Sequence, residues 1–206
     1  MQDILKLINS KQLLIFDFDG TIADTSPFHE QAFKKVLNPL NIKFVYKDIA
    51  GMNSYDALCK IFQQHHKTYT GHNIQKLALR KQSIARDLIK KNLYLEPCVK
   101  LFLDWAYQQP NFALCIVSSG SRQTIELSIK KLGLKPYFNF LICAEDVKNA
   151  KPSPDGFLMA LNQANLTHEH AIIFEDSQAG FQSAKNANIN FLKVTENFWE
   201  DISNTL

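Results

Sequence analysis

Two aspartates separated by one residue follow a short apolar run near the beginning of the chain. Asp17 and Asp19 come directly after the apolar residues 13–16 and are followed by Gly20 and Thr21. Such a run bounded by glycine is typical of a buried parallel strand, and open α/β sheets bind ligands at the carboxyl ends of their strands. Because neighbouring carboxylates repel each other, a cation that prefers oxygen ligands, such as Mg²⁺, would stabilise the pair. A solvated turn with aspartate as a turn residue is the alternative.

A stretch rich in serine comes later, between an apolar run and a predicted helix. It reads Ser118-Ser119-Gly120-Ser121. A glycine-containing turn at a helix N-terminus offers free backbone N–H groups and the positive end of the helix dipole, which together can hold a phosphate group. An ordinary serine N-cap is the alternative interpretation.

Two further stretches place charged residues after predicted strands. Lys151 begins the sequence Lys-Pro-Ser-Pro, and lysine is a compact cation that suits a phosphoryl group or a carboxylate. Glu175 and Asp176 directly follow an apolar strand, where they could bind a metal or cap the next helix. A surface lysine before a proline turn is the alternative for Lys151. All four acids follow predicted parallel strands, as do Ser119 and Lys151, so we expect them to meet at one edge of the sheet.

Taken together, these stretches resemble the motifs of the haloacid dehalogenase (HAD) superfamily. They match, in order, the pattern DxDGT at residues 17–21, the Ser-Gly pair at 119–120, KPxP at 151–154 and EDSxAG at 175–180. The EDSxAG motif is typical of the subfamily that contains phosphoglycolate phosphatases, small sugar phosphatases and β-phosphoglucomutase. The resemblance implies a Mg²⁺-dependent hydrolase of a small phosphomonoester. The second acid favours phosphoryl chemistry, since the dehalogenase branch does not need it.

The resemblance also implies a role for each matching residue. Asp17 would attack phosphorus and form an aspartyl-phosphate, and Asp19 would act as general acid and base. Ser119, or Ser118 if the register is shifted by one, would hydrogen-bond the phosphoryl oxygen, and Lys151 would hold the nucleophile and phosphoryl oxygens. The implied Mg²⁺ ligands are Asp17, Asp19 (through its backbone carbonyl), Glu175 and Asp176. Further phosphate or substrate contacts are expected from Gly20, Thr21, Ser118, Gly120, His29 and Lys81.

The elements that must position these residues fall into two kinds. Residues 22–93 show helical periodicity and no convincing strand, with a loop predicted at 70–73. The last apolar set in this segment is Leu77, Ile84, Leu88 and Ile89. After Pro97, helices alternate with strands at 113–117, 140–143, 171–174 and 191–194, which predicts a parallel sheet covered on both faces. We therefore predict an α/β fold, a Rossmann-like HAD core of residues 1–21 and 94–206, with an inserted α-helical cap domain at 22–93.

The helical insert would select the substrate. It resembles the cap of β-phosphoglucomutase at Asp24-Thr25, His29, Gly51 and Arg80-Lys81. His29 could relay protons, although a half-buried helix residue is the simpler interpretation. Where that mutase carries a cap arginine for a second phosphate, this chain has Ser54 or Tyr55, so a bisphosphate would be held less firmly. Ser121 and Arg122 could partly compensate. A phosphatase is therefore favoured over a phosphosugar mutase, and a non-catalytic binding protein on the same scaffold is a further alternative.

The composition limits the other classes of function. The chain has 206 residues, 46% of them hydrophobic, which suits one ordinary globular domain or a core with a modest insert. The net charge of +3 with no long basic run predicts no nucleic-acid partner. No apolar run approaches the ~20 residues that cross a bilayer, so we expect a soluble, cytoplasmic protein, a monomer or weak dimer. Dispersed cysteines predict free thiols, with Cys115 and Cys143 buried, and His65-His66 is predicted at the surface.

Overall fold

A parallel sheet lies at the centre of the computed structural model, which describes residues 1–66 and 70–206. The strands are β1 (Leu13–Phe16), β2 (Ala113–Val117), β3 (Phe140–Ile142), β4 (Ala171–Glu175) and β5 (Phe191–Lys193). Their order in the sheet is β3-β2-β1-β4-β5, and every neighbouring pair is parallel. The predicted α/β fold with a parallel sheet is confirmed.

The α-helices lie on both faces of this sheet and in the segment after β1. They are α1 (Gln2–Asn9), α2 (Ser26–Leu37), α3 (Ser54–Gln64), α4 (Gly71–Asn92), α5 (Pro97–Gln108), α6 (Arg122–Lys131), α7 (Asp155–Ala164), α8 (Gln178–Asn186) and α9 (Phe198–Ser203). The loop predicted at 70–73 is wrong. Thr70 is the N-cap of α4, and its hydroxyl oxygen accepts a hydrogen bond from the backbone N–H of Asn73. A threonine that satisfies this free N–H group begins a helix.

The central strand β1 is buried on both faces because its residues alternate between two apolar clusters. Leu14 and Phe16 face a cluster that includes residues of α1, α5, α6 and α9. Leu13 and Ile15 face a second cluster, formed with residues of α7 and α8. A strand covered by helices on both faces needs apolar side chains at every position, which explains the unbroken run in the sequence. The carboxyl ends of β1, β2 and β4 consequently share one edge of the sheet.

A third apolar cluster holds α2, α3 and α4 together. It includes Phe33 and Leu37 from α2, Leu58 from α3 and Ala78 from α4. Residues close to both ends of the predicted insert, such as Ile22 and Leu93, belong instead to the cluster on the sheet. The domain boundaries at 22 and 93 stay a prediction. None of the described helices combines the length and the apolar character that crossing a membrane requires.

Candidate active site

A lysine with little solvent contact joins two of the acids at the edge of the sheet. The Nζ atom of Lys151 donates hydrogen bonds to Asp17 Oδ1 at 2.5 Å, Glu175 Oε2 at 2.8 Å and the backbone oxygen of Val117 at 3.0 Å. These bonds use all three hydrogens of the ammonium group. Burial lowers the pKa of Lys151, but the charges of Asp17 and Glu175 outweigh burial and raise this pKa above its ordinary value. The lysine therefore stays charged and fixes the two carboxylates.

Glu175 is anchored by the turn that follows β4. Its side chain is fully buried, and Oε1 accepts hydrogen bonds from the hydroxyl of Ser177 at 2.8 Å and its backbone N–H at 3.0 Å. The same oxygen accepts from the backbone N–H of Asp176 at 3.2 Å. Gly180 on α8 leaves room for this carboxylate, since a Cβ there would lie 1.9 Å from Glu175 Cδ. The turn thus holds Glu175 in one orientation while its other oxygen meets Lys151.

Asp176 completes a group of three carboxylates. Asp17, Glu175 and Asp176 each offer an oxygen, and these oxygens lie within 4.8 Å of one another. Asp176 Oδ1 accepts a hydrogen bond from the hydroxyl of Thr21 at 3.1 Å. Gly20 adopts a φ of +93°, and a Cβ there would lie 2.2 Å from Asp176 Oδ2, so the loop after β1 needs glycine on both grounds.

The three carboxylates carry more negative charge than Lys151 offsets. Burial and then the charge of Glu175 raise the pKa of Asp17 well above its ordinary value. The same two causes raise the pKa of Asp176 to about 6. Clustered carboxylate oxygens with an uncompensated charge fit a hard divalent cation. The described residues therefore fit the predicted metal site at Asp17, Glu175 and Asp176.

The side chain of Asp19 points away from this group, toward α2. Its Oδ1 atom accepts a hydrogen bond from the hydroxyl of Thr25 at 2.5 Å and lies 3.5 Å from His29 Nε2. Burial raises the pKa of Asp19, but hydrogen bonds from His29 and Thr25 outweigh it and hold this pKa below its ordinary value. The metal contact of the Asp19 backbone carbonyl stays a prediction.

A buried lysine on α4 extends this chain of contacts. Lys81 Nζ lies 2.8 Å from His29 Nδ1 and donates a hydrogen bond to the hydroxyl of Ser54 at 3.3 Å. It also lies 4.4 Å from the centre of the Phe33 ring. Burial lowers the pKa of Lys81 to about 7, and burial together with the charge of Lys81 lowers the pKa of His29. His29 is thus held between Asp19 and Lys81, which is the arrangement that a proton relay requires.

A cavity of about 320 Å³ separates the edge of the sheet from α2, α3 and α4. From the sheet side it is lined by residues that include Asp17, Asp19, Ser119 and Gly120. From the helical side it is lined by residues that include His29, Tyr46, Asn53, Ser54, Tyr55 and Lys81. Six of the predicted site residues therefore line one cavity, namely Asp17, Asp19, His29, Lys81, Ser119 and Gly120. The others, Gly20, Thr21, Ser118, Lys151, Glu175 and Asp176, are not among its lining residues as described.

The two candidate serines occupy different places. Ser119 lines the cavity with Asp17, whereas Ser118 is buried and its hydroxyl oxygen accepts a hydrogen bond from the backbone N–H of Gly120 at 2.9 Å. A Cβ at Gly120 would approach Ile125 Cδ1 to 2.9 Å, so the turn is closely packed. This geometry favours Ser119 as the hydroxyl available to a phosphoryl group.

One expected substrate contact is directed elsewhere. Ser121 lines the cavity, but the guanidinium of Arg122 forms ion pairs with Asp146 and with Glu126, at 3.7 Å from the latter. Arg122 also donates its backbone N–H to Glu145. The expectation that Arg122 compensates for a missing cap arginine is therefore wrong.

The sequence reasoning missed two residues that orient the acids. Thr25 was noted only as part of the cap resemblance, yet it holds Asp19, and Ser177 lies within the fourth motif and holds Glu175. A hydroxyl two positions after a buried carboxylate is a signal that could have identified Ser177, because serine can bond locally to such a neighbour.

Known proteins resemble the chain over most of its length. Fructose-1-phosphate phosphatase YqaB of Escherichia coli is 29% identical over 88% of this chain and 95% of its own. Phosphorylated carbohydrates phosphatase of Thermotoga maritima is 26% identical over 86% of this chain and 82% of its own. Among solved structures, β-phosphoglucomutase of Clostridium difficile superposes with a TM-score of 0.81 at 24% identity, covering 93% of this chain and 87% of that one.

The family itself follows from a match that spans most of the domain. Residues 14–194 match the family described as haloacid dehalogenase-like hydrolase, from the second residue of β1 to the residue after β5. The predicted superfamily is confirmed. The chain belongs to the haloacid dehalogenase-like hydrolases.

Proposed function

We propose that this protein is a Mg²⁺-dependent phosphatase that hydrolyses a small phosphomonoester through an aspartyl-phosphate. The observation that carries this proposal is the position of Asp17. It lies at the cavity, is fixed by Lys151 and shares a potential metal site with Glu175 and Asp176. A carboxylate held in this way is oriented for attack, and the neighbouring positive charge allows an anionic phosphate to approach it.

Each residue has a defined task in this mechanism. Bound Mg²⁺, held by Asp17, Glu175 and Asp176, would supply electrostatic stabilisation of the phosphoryl group. Asp17 attacks phosphorus, the bond to the leaving oxygen breaks, and the phosphoryl group stays on the Asp17 carboxylate. Ser119 holds a phosphoryl oxygen, and Lys151 orients Asp17 while its charge offsets that of the phosphoryl group. Water then releases phosphate and restores Asp17.

Asp19 supplies the proton transfers. The hydrogen bonds from Thr25 and His29 favour its ionised form, which suits the second step, where it takes a proton from the attacking water. In the first step the leaving oxygen needs a proton, and His29 is placed to deliver one to Asp19. Lys81, on the other side of His29, replaces that proton. General acid–base help of this kind is typically worth about 10²–10⁴-fold in rate.

The cavity suits a sugar or polyol phosphate. Its lining carries neutral amide and hydroxyl groups, from Asn53, Ser54, Gln75, Gln82, Ser121 and Thr124. Such groups bond the hydroxyls of a carbohydrate without demanding charge. The named activities of the E. coli and T. maritima relatives, on fructose 1-phosphate and on phosphorylated carbohydrates, agree with this class.

A phosphosugar mutase is the second candidate. The contact between His29 and Lys81 favours it, because these positions resemble the mutase cap. Against it, none of the described residues that line the cavity is an arginine, so among them a second phosphate lacks a bidentate partner. A bisphosphate intermediate would consequently dissociate before it could reorient in the cavity.

The deciding experiment measures phosphate release from a panel of small phosphomonoesters, with Mg²⁺ and with EDTA. The panel includes fructose 1-phosphate, phosphoglycolate and β-glucose 1-phosphate, the last also assayed for glucose 6-phosphate. We expect metal-dependent release, fastest with sugar phosphates. Isomerisation of glucose 1-phosphate without release would establish the mutase instead, and a lack of turnover across the panel would favour a binding protein.

A further inference from the structure

The last helix lies outside the family match, yet it reaches the site. α9 begins at Phe198, after the matched residues 14–194, and its Trp199 is 7% exposed. We propose that Trp199 is a positioning residue that holds the loop after β1, and through it the metal-binding carboxylates, in their working geometry. This inference rests on the proposed function, because the carboxylates it positions are those of the phosphatase site.

The first observation is a buried hydrogen bond from the indole to the motif loop. Trp199 Nε1 donates to the backbone oxygen of Thr21 at 2.7 Å. The hydroxyl of the same residue donates to Asp176 Oδ1 at 3.1 Å. Thr21 is therefore bound on one side to α9 and on the other to a carboxylate of the predicted metal site. A displacement of the loop changes both contacts at once.

The second observation is that the indole of Trp199 packs against two phenylalanine rings at the carboxyl ends of β1 and β4. The rings of Phe16 and Phe174 stack with their centres 4.6 Å apart and their planes at 6°. Trp199 stacks against both, at 6.4 Å from Phe16 and 5.7 Å from Phe174. Phe16 directly precedes Asp17, and Phe174 directly precedes Glu175. One side chain thus supports the backbone from which two of the three carboxylates project.

α9 is itself fixed, so it can serve as a support. The hydroxyl of Ser203, at its end, donates to the backbone oxygen of Cys98 at 3.0 Å. Phe198 packs edge-on against Phe174, and Trp199 contacts Phe102 of α5 at 5.1 Å. The helix is therefore held against α5 and the sheet.

Loss of the contact between Trp199 and Thr21 should lower metal affinity and turnover more than substrate binding. Removing the indole N–H leaves the Thr21 oxygen buried without its donor, and the loop relieves this by moving. Loss of such outer contacts around a metal site typically costs about 10–100-fold in affinity or activity. Trp199 is not among the described residues that line the cavity, so KM for the phosphomonoester should change little.

The test compares two tryptophan-to-phenylalanine variants. Trp199→Phe keeps an aromatic ring and removes the donor. Trp105→Phe makes the same change on α5, where the partly exposed indole packs on Phe102 and Phe112 rather than on the motif loop. For each, Mg²⁺ affinity is measured from the rise in melting temperature with metal, and kcat and KM from phosphate release. We expect about a 10–100-fold weaker Mg²⁺ affinity and a lower kcat only in Trp199→Phe.

A spectroscopic readout does not depend on activity or on the folding of Trp199→Phe. The chain has two tryptophans, so Trp199 is the sole one in the Trp105→Phe protein. We expect Mg²⁺ to change the emission of Trp199 there, with the same midpoint as the thermal stabilisation. A flat emission titration in a protein that does bind Mg²⁺ would overturn the inference, as would equal losses in the two variants. If the wild type neither binds Mg²⁺ nor releases phosphate, the proposed function itself fails.

Discussion

Two carboxylates contact one ammonium group at the edge of the sheet, and a third carboxylate lies beside them. Lys151 offsets a single negative charge, whereas Asp17, Glu175 and Asp176 carry three when ionised. Glu175 meets Lys151 through Oε2 and the following turn through Oε1, so it fixes the lysine as well as adding its charge to the potential metal site. Asp17 combines a position at the cavity with contact to the fixed lysine, which is why we propose it as the nucleophile.

The first prediction concerns that nucleophile. Asp17→Asn should lower phosphate release by about 10⁴-fold or more, since an amide cannot form the covalent intermediate. Asp24→Asn is the matched control, because Asp24 is exposed and its side chain accepts a hydrogen bond from the backbone N–H of Ser26. That control should keep near wild-type turnover. Robust activity of Asp17→Asn at the same Mg²⁺ concentration would contradict the mechanism.

The second prediction concerns the buried lysine of the cap helices. Burial lowers the pKa of Lys81 to about 7 from an ordinary value of 10.5. Between these values the unfolded chain binds the proton and the folded chain does not, so the stability contributed by this group rises with pH across the window. Lys81→Met lacks this titration. Its gain in melting temperature over the wild type should therefore be largest near pH 7 and shrink toward pH 10.

The measurement is thermal unfolding of both proteins at several pH values. Lys76→Met provides the control, since it makes the same replacement at an exposed position of the same helix and is compared with the wild type at the same pH values. A gain for Lys81→Met that is the same at pH 7 and pH 10 would show that the lysine is not titrating in this window.

At the scale of elements, the strands could be predicted well and the helical segment less so. β1, β2 and β4 lie between other strands and are covered on both faces, so each appears as an unbroken apolar run, and each prediction was correct to within a residue. The position of Asp17, Glu175 and Asp176 follows from the same strands, because the carboxyl ends of parallel strands lie at one edge of the sheet. Local hydrogen bonds such as those of Thr25 and Ser177 depend on side-chain geometry that no periodicity encodes.

The buried face of α4 shows where periodicity fails. Of the predicted apolar set, Ile89 is buried, whereas Leu77, Ile84 and Leu88 are only partly buried. The rest of the buried face consists of Ile74, Ala78, Lys81 and Ala85. Small side chains let the helices approach closely, and the lysine sits on this face because His29 and Ser54 satisfy its donors. A pattern that counts only large apolar residues therefore finds just part of a buried face that also carries small residues and a charge.

The third prediction belongs to the packing of α8 against the end of β4. A Cβ at Gly180 would lie 1.9 Å from Glu175 Cδ, so Gly180→Ala must displace the carboxylate or the helix. Overpacking of this kind typically costs about 1–3 kcal/mol. Gly71→Ala is the matched control in another helix, where a Cβ would come no closer than 3.4 Å to Tyr55. Differential scanning calorimetry should show a lower melting temperature for Gly180→Ala alone, and equal behaviour of the two variants would contradict the packing argument.

At the scale of the whole molecule, the cavity has two sides of different chemical character, one formed by the sheet and one by the helical segment. The sheet side supplies fixed carboxylates and Lys151, and the helical side supplies His29 and Lys81 with neutral polar groups. The first set suits a reaction common to many phosphomonoesters, and the second suits discrimination between leaving groups. The chemistry could therefore be predicted from motifs, whereas the substrate depends on a surface that only the folded chain creates.

The last prediction links metal binding to the stability of the entire domain. Without a metal, the folded-state pKa of Asp176 is about 6 against an ordinary 3.8, and that of Asp17 is raised as well. A raised carboxyl pKa means that the folded protein binds protons more tightly than the unfolded one, so stability falls as pH rises from about 4 to 6. Mg²⁺ offsets the same repulsion and competes with those protons. Its stabilising effect should consequently be larger near pH 7.5 than near pH 5.

The size of this effect follows from mass action. At a Mg²⁺ concentration of about 100 times Kd, binding adds about 2.7 kcal/mol to the free energy of unfolding. For a domain of this length each kcal/mol raises the melting temperature by about 2–4 °C, so a rise of about 5–10 °C is expected near pH 7.5. Asp176→Asn should lose most of that rise, because it removes a ligand and part of the repulsion together, while Asp24→Asn should keep it. If Mg²⁺ stabilised the Asp176→Asn protein as strongly as the wild type, the three carboxylates would not be the metal site, and the charge they share would have to be balanced by something other than a cation.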